Sequence, residues 1–226
     1  MRKTFNSEVA MKERRHFLKV ALGLMAWSGA FFTSWHSFLR PLWGEERKTI
    51  LPKGTKRESL IERNPADLDT RNLDITPLKD FQTMGTTENK VDLDKWRLEV
   101  TGRVKRPLIL TYSQVLSLPS TEKRVLLICP GFFANNGSWK GVLMGELLRK
   151  AEREGGTKEV TFTASEGGYE RTEKFSLEEV LSGKVFLAYG VNGQALPEKH
   201  GYPLRVVAEG HYGSQWAKFV GKVKVE

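Results

Sequence analysis

The sequence predicts an α+β domain made of mixed, mostly antiparallel sheets with a few short helices between the strands. Many short segments alternate apolar and polar residues or form brief apolar runs, and Gly or Pro residues separate them. Only a few short helical segments lie between the strands. Hydrophobic residues make up 39% of the 226 residues, which is enough for a core.

The first elements follow one another closely. The stretch WRLEVTG, from Trp96, is apolar at every second residue and predicts a half-buried strand. Gly102 and Pro107 bracket a second short strand. TYSQVLSLP, from Thr111, predicts a brief helix that ends before Pro119.

The later elements continue this alternation of strands and helices. Residues 124–129 form an apolar run that predicts a buried strand, and residues 141–151 predict a helix. VTFTAS, from Val160, alternates again, and Ser176 with Glu179 forms a capping box that opens another short helix. The remaining predicted strands start at Val185, Pro203 and Phe219.

Three regions follow from composition. Residues 1–43 contain a basic start and a long uncharged stretch, which predicts an export signal or membrane anchor. Residues 44–90 are charged and rich in turn residues, which predicts a linker and an irregular arm. Residues 91–226 hold the regular elements and predict one domain.

The net charge of +9 is concentrated at the start of the chain. Residues 1–40 contain seven Lys or Arg and two acidic residues, which leaves 29 basic and 25 acidic residues in the remainder. A nucleic-acid-binding domain would carry its excess charge on the folded body. We therefore expect no nucleic-acid partner.

The N-terminal segment resembles a twin-arginine export signal. Arg14 and Arg15 precede Phe17-Leu18-Lys19, and residues 20–39 contain no Asp, Glu, Lys or Arg. Twenty such residues are long enough to span a bilayer of about 30 Å. Either the signal is cleaved after export or it stays as a single span, and in both cases we expect the body on the periplasmic side of the inner membrane.

Cys129 is the only cysteine in the chain, so no disulfide is possible within it. A lone cysteine on an apolar strand is commonly a small buried hydrophobic residue. A thiol-based redox protein would need a resolving cysteine. The spacing of one cysteine and the two histidines of the body, His200 and His211, does not indicate a zinc site.

Five segments in order resemble the molybdopterin-binding domain of the sulfite oxidase family, over residues 92–226. The fourth, FLAYGVNGQALPEKHGYPLRVV, is the most specific; in the third, Leu143 replaces the usual proline. The other segments are the strand pair from Trp96, RVLLIC, WKGVLMGELL from Trp139, and HYGSQWAKFVGKVKV. The resemblance is greatest to the exported single-domain branch, which includes the periplasmic methionine sulfoxide reductase. It implies the sulfite oxidase molybdopterin-binding fold.

The resemblance also implies a cofactor, molybdenum bound to molybdopterin, with Cys129 as the catalytic residue and metal ligand. A pyranopterin supplies two dithiolene sulfurs, and one protein thiolate adds a third soft ligand. One cysteine is therefore sufficient. The residues that the resemblance assigns to cofactor binding are His200, Arg205, Trp216, Ala217, Lys218, Gln82, Thr83, Ser165 and Asp80, the last pointing toward the metal.

The implied activity is oxygen-atom transfer coupled to two-electron cycling of the metal. Phe132 and Phe133 follow Cys129 where sulfite oxidases have arginine, so we expect a neutral or weakly polar substrate such as an S-oxide. The sequence has no Cys-x-x-Cys-His motif for haem attachment, and we expect a separate electron-transfer partner, a membrane haem protein or a periplasmic cytochrome. The alternatives are a sulfite dehydrogenase of the same fold and a metal-free binding module.

Overall fold

The computed structural model describes residues 48–85, 87, 89–165 and 171–226. Predictions for residues 1–43 lie outside these ranges. Within the described residues, no helix is long and apolar enough to cross a membrane.

Two five-stranded sheets and three short helices form the folded body. The strands are β1 (Thr49–Ile50), β2 (Leu68–Asp69), β3 (Leu98–Gly102), β4 (Leu108–Leu110), β5 (Ser120–Cys129), β6 (Phe133–Val142), β7 (Glu159–Ala164), β8 (Thr172–Ser176), β9 (Val185–Val191), β10 (Gln194–Ala195), β11 (Arg205–Ala208) and β12 (Val220–Val225). The helices are α1 (Tyr112–Leu116), α2 (Met144–Lys150) and α3 (Leu177–Leu181).

The first sheet is antiparallel in every pairing. Its order is β10-β9-β6-β5, with β11 also paired to β9. The second sheet has the order β4-β3-β12-β7-β8, in which only the β3–β12 pair is parallel. This agrees with the predicted α+β class of mostly antiparallel sheets.

The region between Cys129 and α2 differs from the sequence prediction. Residues 133–142 form β6, which pairs with β5 over its full length. Gly141 belongs to this strand, and a Cβ there would lie 2.1 Å from the carbonyl oxygen of Leu187 on β9. The predicted helix over 141–151 therefore begins only at Met144.

The β5–β6 hairpin is buried on both faces. Val125 and Leu127 belong to the main core, whereas Leu126 and Ile128 belong to a second apolar cluster. Residues 48–90 supply the other side of that cluster through four buried leucines: Leu51, Leu60, Leu68 and Leu73. The arm has only two-residue strands and 3-10 turns, yet it covers one face of the first sheet.

Candidate active site

One cavity of about 680 Å³ collects most of the side chains that the sequence singles out. Its walls come from the end of the β5–β6 hairpin, the arm, the start of β11 and the segment before β12. The described residues that line it are Phe81, Gln82, Thr83, Met84, Gly85, Thr87, Leu127, Cys129, Phe133, Asn135, Trp139, Arg171, His200, Arg205, Gly213, Ser214, Trp216, Lys218 and Phe219.

Cys129 is the last residue of β5 and pairs with Phe133 across the hairpin. Successive side chains of a strand point to opposite faces, so Cys129 shares the face of Leu127 and lines the cavity with it. The thiol is half-buried, and this burial raises its pKa. The protein alone therefore holds the sulfur protonated, and a bound cation would be needed to favour the thiolate.

Arg205 is a buried cation at the first position of β11. It is 3% exposed, and its guanidinium lies 5.2 Å from the ring centroid of Trp139 and 5.5 Å from that of Trp216. One Nη donates a hydrogen bond to the carbonyl of His200 at 3.0 Å, and Nε has no partner among the described residues. Burial lowers the pKa of Arg205 to about 9.

The two tryptophans that flank Arg205 are held in place by backbone acceptors. The Trp139 indole donates to the carbonyl of Val125 at 3.0 Å, and that of Trp216 donates to the carbonyl of His211 at 3.2 Å. Their rings meet edge to face at 5.5 Å. The guanidinium is thereby fixed in one orientation before any ligand binds.

His200 closes a 3-10 turn that ends at Gly201, whose φ of 106° suits glycine. A side chain at Gly201 would also come within 3.0 Å of Lys218, so glycine permits these two segments to approach. Burial, reinforced by Arg205, lowers the pKa of His200 to about 4. The ring is neutral at physiological pH, and its Nε2 has no hydrogen-bond partner among the described residues.

Lys218 connects the segment before β12 to the arm. Its Nζ donates to Thr83 Oγ1 at 2.7 Å and to the carbonyls of Lys199 and Met84 at 2.9 Å and 3.0 Å. Burial, with Arg205 nearby, lowers its pKa to about 8. These contacts hold the ammonium group of Lys218 at the wall of the cavity.

Asn135, on β6, holds the other side of the arm. Its Nδ2 donates to the Gln82 carbonyl at 2.8 Å, and its Oδ1 accepts from the Gln82 amide at 3.3 Å. Next to Gln82, Phe81 is buried against Trp139 and His200, with ring centroids 5.9 Å and 5.7 Å away. The arm is thus a wall of the cavity.

The structure places seven of the ten predicted site residues along this cavity: Cys129, His200, Arg205, Trp216, Lys218, Gln82 and Thr83. The other three lie elsewhere. Ala217 is buried and accepts a hydrogen bond from the Val206 amide; Asp80 is exposed and does not line the cavity; Ser165 lines a neighbouring pocket. The roles of all ten stay predictions.

The structure also corrects the expected surroundings of the cysteine. Phe133 lines the cavity, but Phe132 is 66% exposed and lies beside a separate small depression. Arg171, next to β8, lines the cavity, so a further positive charge reaches it from 42 residues along the chain rather than from the segment after Cys129. Sequence reasoning missed Asn135, Trp139 and Arg171 as lining residues: Trp139 was recognised only as the start of a family-like segment, and Asn135 and Arg171 belong to no local motif of the site.

The side chains of this cavity fit molybdenum-molybdopterin. A single soft thiol, Cys129, suits the metal. Arg205 is a buried cation, and the described lining contains no Asp or Glu to neutralise it. A phosphate would supply the missing charge and accept from the guanidinium. These residues would hold the cofactor at its metal and at its phosphate.

Comparisons with known proteins agree with this chemistry. The family model of the oxidoreductase molybdopterin-binding domain matches residues 84–226. Nitrate reductase [NADH] 1 of Arabidopsis thaliana is 31% identical over 166 residues, which cover 60% of this chain and 18% of the reductase. The protein-methionine-sulfoxide reductase catalytic subunit MsrP of Burkholderia mallei is 26% identical over 197 residues, 76% of this chain and 60% of the relative.

A solved structure is similar as well. The sulfane dehydrogenase SoxCD from Paracoccus pantotrophus superimposes with a TM-score of 0.57 and 26% identity, over 61% of this chain and 39% of that one. The chain thus spans 60% or less of the length of the relatives compared here. These matches confirm the predicted fold and family. The chain belongs to the oxidoreductase molybdopterin-binding domain family, and its cofactor is molybdenum bound to molybdopterin.

Proposed function

We propose that this chain reduces a small S-oxide outside the cytoplasm, with electrons from a separate protein. The observation that carries the proposal is the single cavity that holds both the thiol of Cys129 and the buried cation of Arg205. Similarity to a methionine sulfoxide reductase subunit supports the substrate class. The Arg14-Arg15 motif supports export.

The reaction balances with an external reductant. An S-oxide takes up two electrons and two protons and gives a sulfide and water. The bound cofactor would supply the two-electron chemistry of this reaction. The sequence has no haem-attachment motif, so a membrane haem protein or a periplasmic cytochrome is the proposed electron donor.

The residues of the chain bind and orient. Cys129 would provide the thiolate ligand, and Arg205 would hold the phosphate end through a guanidinium that the two tryptophans keep in place. Lys218 adds a second cation while it ties the arm to the cavity wall. Leu127 and Phe133 make the surroundings of the thiol apolar and limit the access of water.

The first experiment is molybdenum analysis of protein expressed in a cofactor-producing host. We expect about one metal per chain in the wild type. Cys129→Ala should lower the metal content and remove the thiolate-to-metal charge-transfer absorption. Well-folded wild type without metal would overturn the proposal and favour a binding module that kept the fold.

A second candidate function is oxidation of a sulfur oxyanion, as in a sulfite dehydrogenase. Similarity to a sulfane dehydrogenase favours it, since that protein also acts in the oxidative direction by its name. Steady-state assays separate the two. Turnover of methionine sulfoxide with a reduced donor supports the reductase, whereas turnover of sulfite with an oxidised acceptor supports the dehydrogenase.

A further inference from the structure

The described lining of the cavity carries three basic side chains. Arg171, Arg205 and Lys218 line it, and no Asp or Glu is found among the described lining residues. Arg205 is buried and Lys218 is half-buried, and both line the cavity. Arg171 is the third cation of this lining, and it pairs through Nε with Glu173.

Arg171 differs from the other two cations in its position. Its side chain is 54% exposed, whereas Arg205 is 3% exposed. A half-exposed side chain on a cavity wall lies where water and solutes reach it. This position suits contact with an incoming molecule better than contact with a resident cofactor.

The backbone and one carboxylate fix Arg171 in place. Its carbonyl accepts a hydrogen bond from the Ala164 amide at 3.1 Å, which extends the β7–β8 pairing by one step. Its Nε donates to Glu173 Oε1 at 2.8 Å, two residues along the same face of β8. Within the described part of the chain, this is the side chain's only recorded partner, and both Nη groups keep donors for a ligand.

We propose that Arg171 is a specificity-determining residue that binds a negatively charged group of the substrate, and that the enzyme prefers S-oxides which carry a carboxylate. The inference rests on the proposed reductase function and deepens it. It replaces the expectation of a neutral substrate, which considered only the residues next to Cys129 in sequence. A planar guanidinium held at Nε presents its Nη groups in the geometry that a carboxylate matches.

The test compares two substrates that share one reacting group. N-acetylmethionine sulfoxide carries a carboxylate, and its N-methylamide is neutral. With the holoenzyme, we expect Arg171→Gln to raise the KM for the acid about tenfold, the loss of one charge-assisted contact, and to leave the amide unchanged. Arg171→Lys keeps the charge and should recover part of the loss.

Lys174→Gln is a matched control. Lys174 lies on β8 at 57% exposure and pairs with Glu226 at 3.4 Å, but it does not line the cavity. Lys174→Gln removes one positive charge, as Arg171→Gln does, and at almost the same place in the chain. Because Lys174 does not line the cavity, this variant should leave the KM values for the acid and the amide unchanged. Wild-type KM for the acid should also rise with ionic strength, and Arg171→Gln should lose most of this dependence.

Three results would overturn the inference. Equal changes of KM for the acid and the amide in Arg171→Gln would mean that Arg171 does not bind the substrate carboxylate. A fall of molybdenum and pterin content in Arg171→Gln would make it a cofactor contact. If Lys174→Gln raised the KM for the acid as much as Arg171→Gln does, the effect would come from the net charge of the protein surface and not from a contact of Arg171.

A binding measurement keeps the inference separate from the proposed function. If the wild type turns over neither sulfoxide, the reductase proposal fails, but anion binding can still be measured on the holoprotein. Sulfate should raise the melting temperature of the wild type and of Lys174→Gln more than that of Arg171→Gln. An equal rise in all three proteins would leave only the general effect of sulfate and overturn the site.

Discussion

Arg205 is buried between two indole rings with a positive charge that no described carboxylate of the cavity neutralises. A buried, unpaired charge costs free energy in the cofactor-free protein, and its lowered pKa is the sign of that cost. The same charge becomes favourable when an anion binds. Arg205 thus lowers the stability of the cofactor-free protein and favours the binding of an anion.

We therefore expect Arg205→Met to act in opposite directions on the two forms. The variant should raise the free energy of unfolding of the cofactor-free protein by about 1–2 kcal/mol, because it removes the buried charge. It should also lower the molybdenum and pterin content. Chemical denaturation and metal analysis measure the two effects, and a less stable empty variant would show that the contacts with Trp139 and Trp216 outweigh burial of the charge.

His200 gives a pH dependence of known sign. Its folded pKa of about 4 lies below the ordinary value of 6.5, so the folded state prefers the neutral ring. The contribution of His200 to the free energy of unfolding is fully present above pH 6.5. As the pH falls toward 4, this contribution is lost, and the free energy of unfolding decreases by about 2–3 kcal/mol.

Denaturation of the cofactor-free protein between pH 4 and 7 measures this loss. His200→Gln cannot titrate there, and the difference between it and the wild type isolates the contribution of the ring. Parallel pH profiles for the two proteins would contradict the assignment.

At the level of elements, side chains of the domain hold the part of the arm that lines the cavity. Asn135 makes two hydrogen bonds to the backbone of Gln82, and Lys218 makes contacts with Thr83 and Met84. Residues 81–85, which carry these anchors, belong to no helix or strand. The order of the arm at the cavity therefore comes from side chains on the domain.

We expect Asn135→Leu to release this part of the arm. The variant removes both partners of the Gln82 backbone, so the free energy of unfolding should fall by about 1–3 kcal/mol. Amide hydrogen exchange at Gln82 should accelerate. Asn135→Asp keeps the acceptor and loses the donor. Its free energy of unfolding and its exchange rate at Gln82 should lie between those of the wild type and Asn135→Leu.

The elements that sequence predicted well have a local pattern. β3, β7, β9 and β12 alternate or form apolar runs, and the capping box of Ser176 and Glu179 starts α3 as expected. β6 was missed because FANNGSWKGV is rich in Asn, Gly and Ser, residues that favour turns. Its pairing with β5 over ten residues overrides that preference.

At the level of the whole molecule, the cavity connects parts of the chain that are far apart in sequence. Cys129 comes from the first sheet, Arg171 from a segment next to the second, and Gln82 from the arm. Motifs predicted the residues that lie together in sequence, such as His200 and Arg205. Arg171 and Asn135 depend on the tertiary fold, and no local pattern marks them.

Because the cofactor would contact several of these parts at once, we expect it to stabilise the whole fold. A ligand at a thousandfold excess over its Kd adds about 4 kcal/mol, which raises the Tm of a domain of this size by about 10 °C. Calorimetry of loaded and empty protein measures the shift. Arg205→Met should lose most of it, and equal Tm values for the loaded and empty wild type would contradict tight binding.

The solitary thiol has a practical consequence. Cys129 is the only cysteine in 226 residues, and it is half-buried at the wall of the cavity. A metal-bound thiolate is withdrawn from alkylation, whereas the empty protein offers one half-buried thiol per chain, which an alkaline reaction buffer would deprotonate and make reactive. Mass spectrometry after treatment with a maleimide would therefore count vacant molecules in a preparation directly. Because the chain has no second cysteine, the extent of labelling equals the fraction of molecules without cofactor.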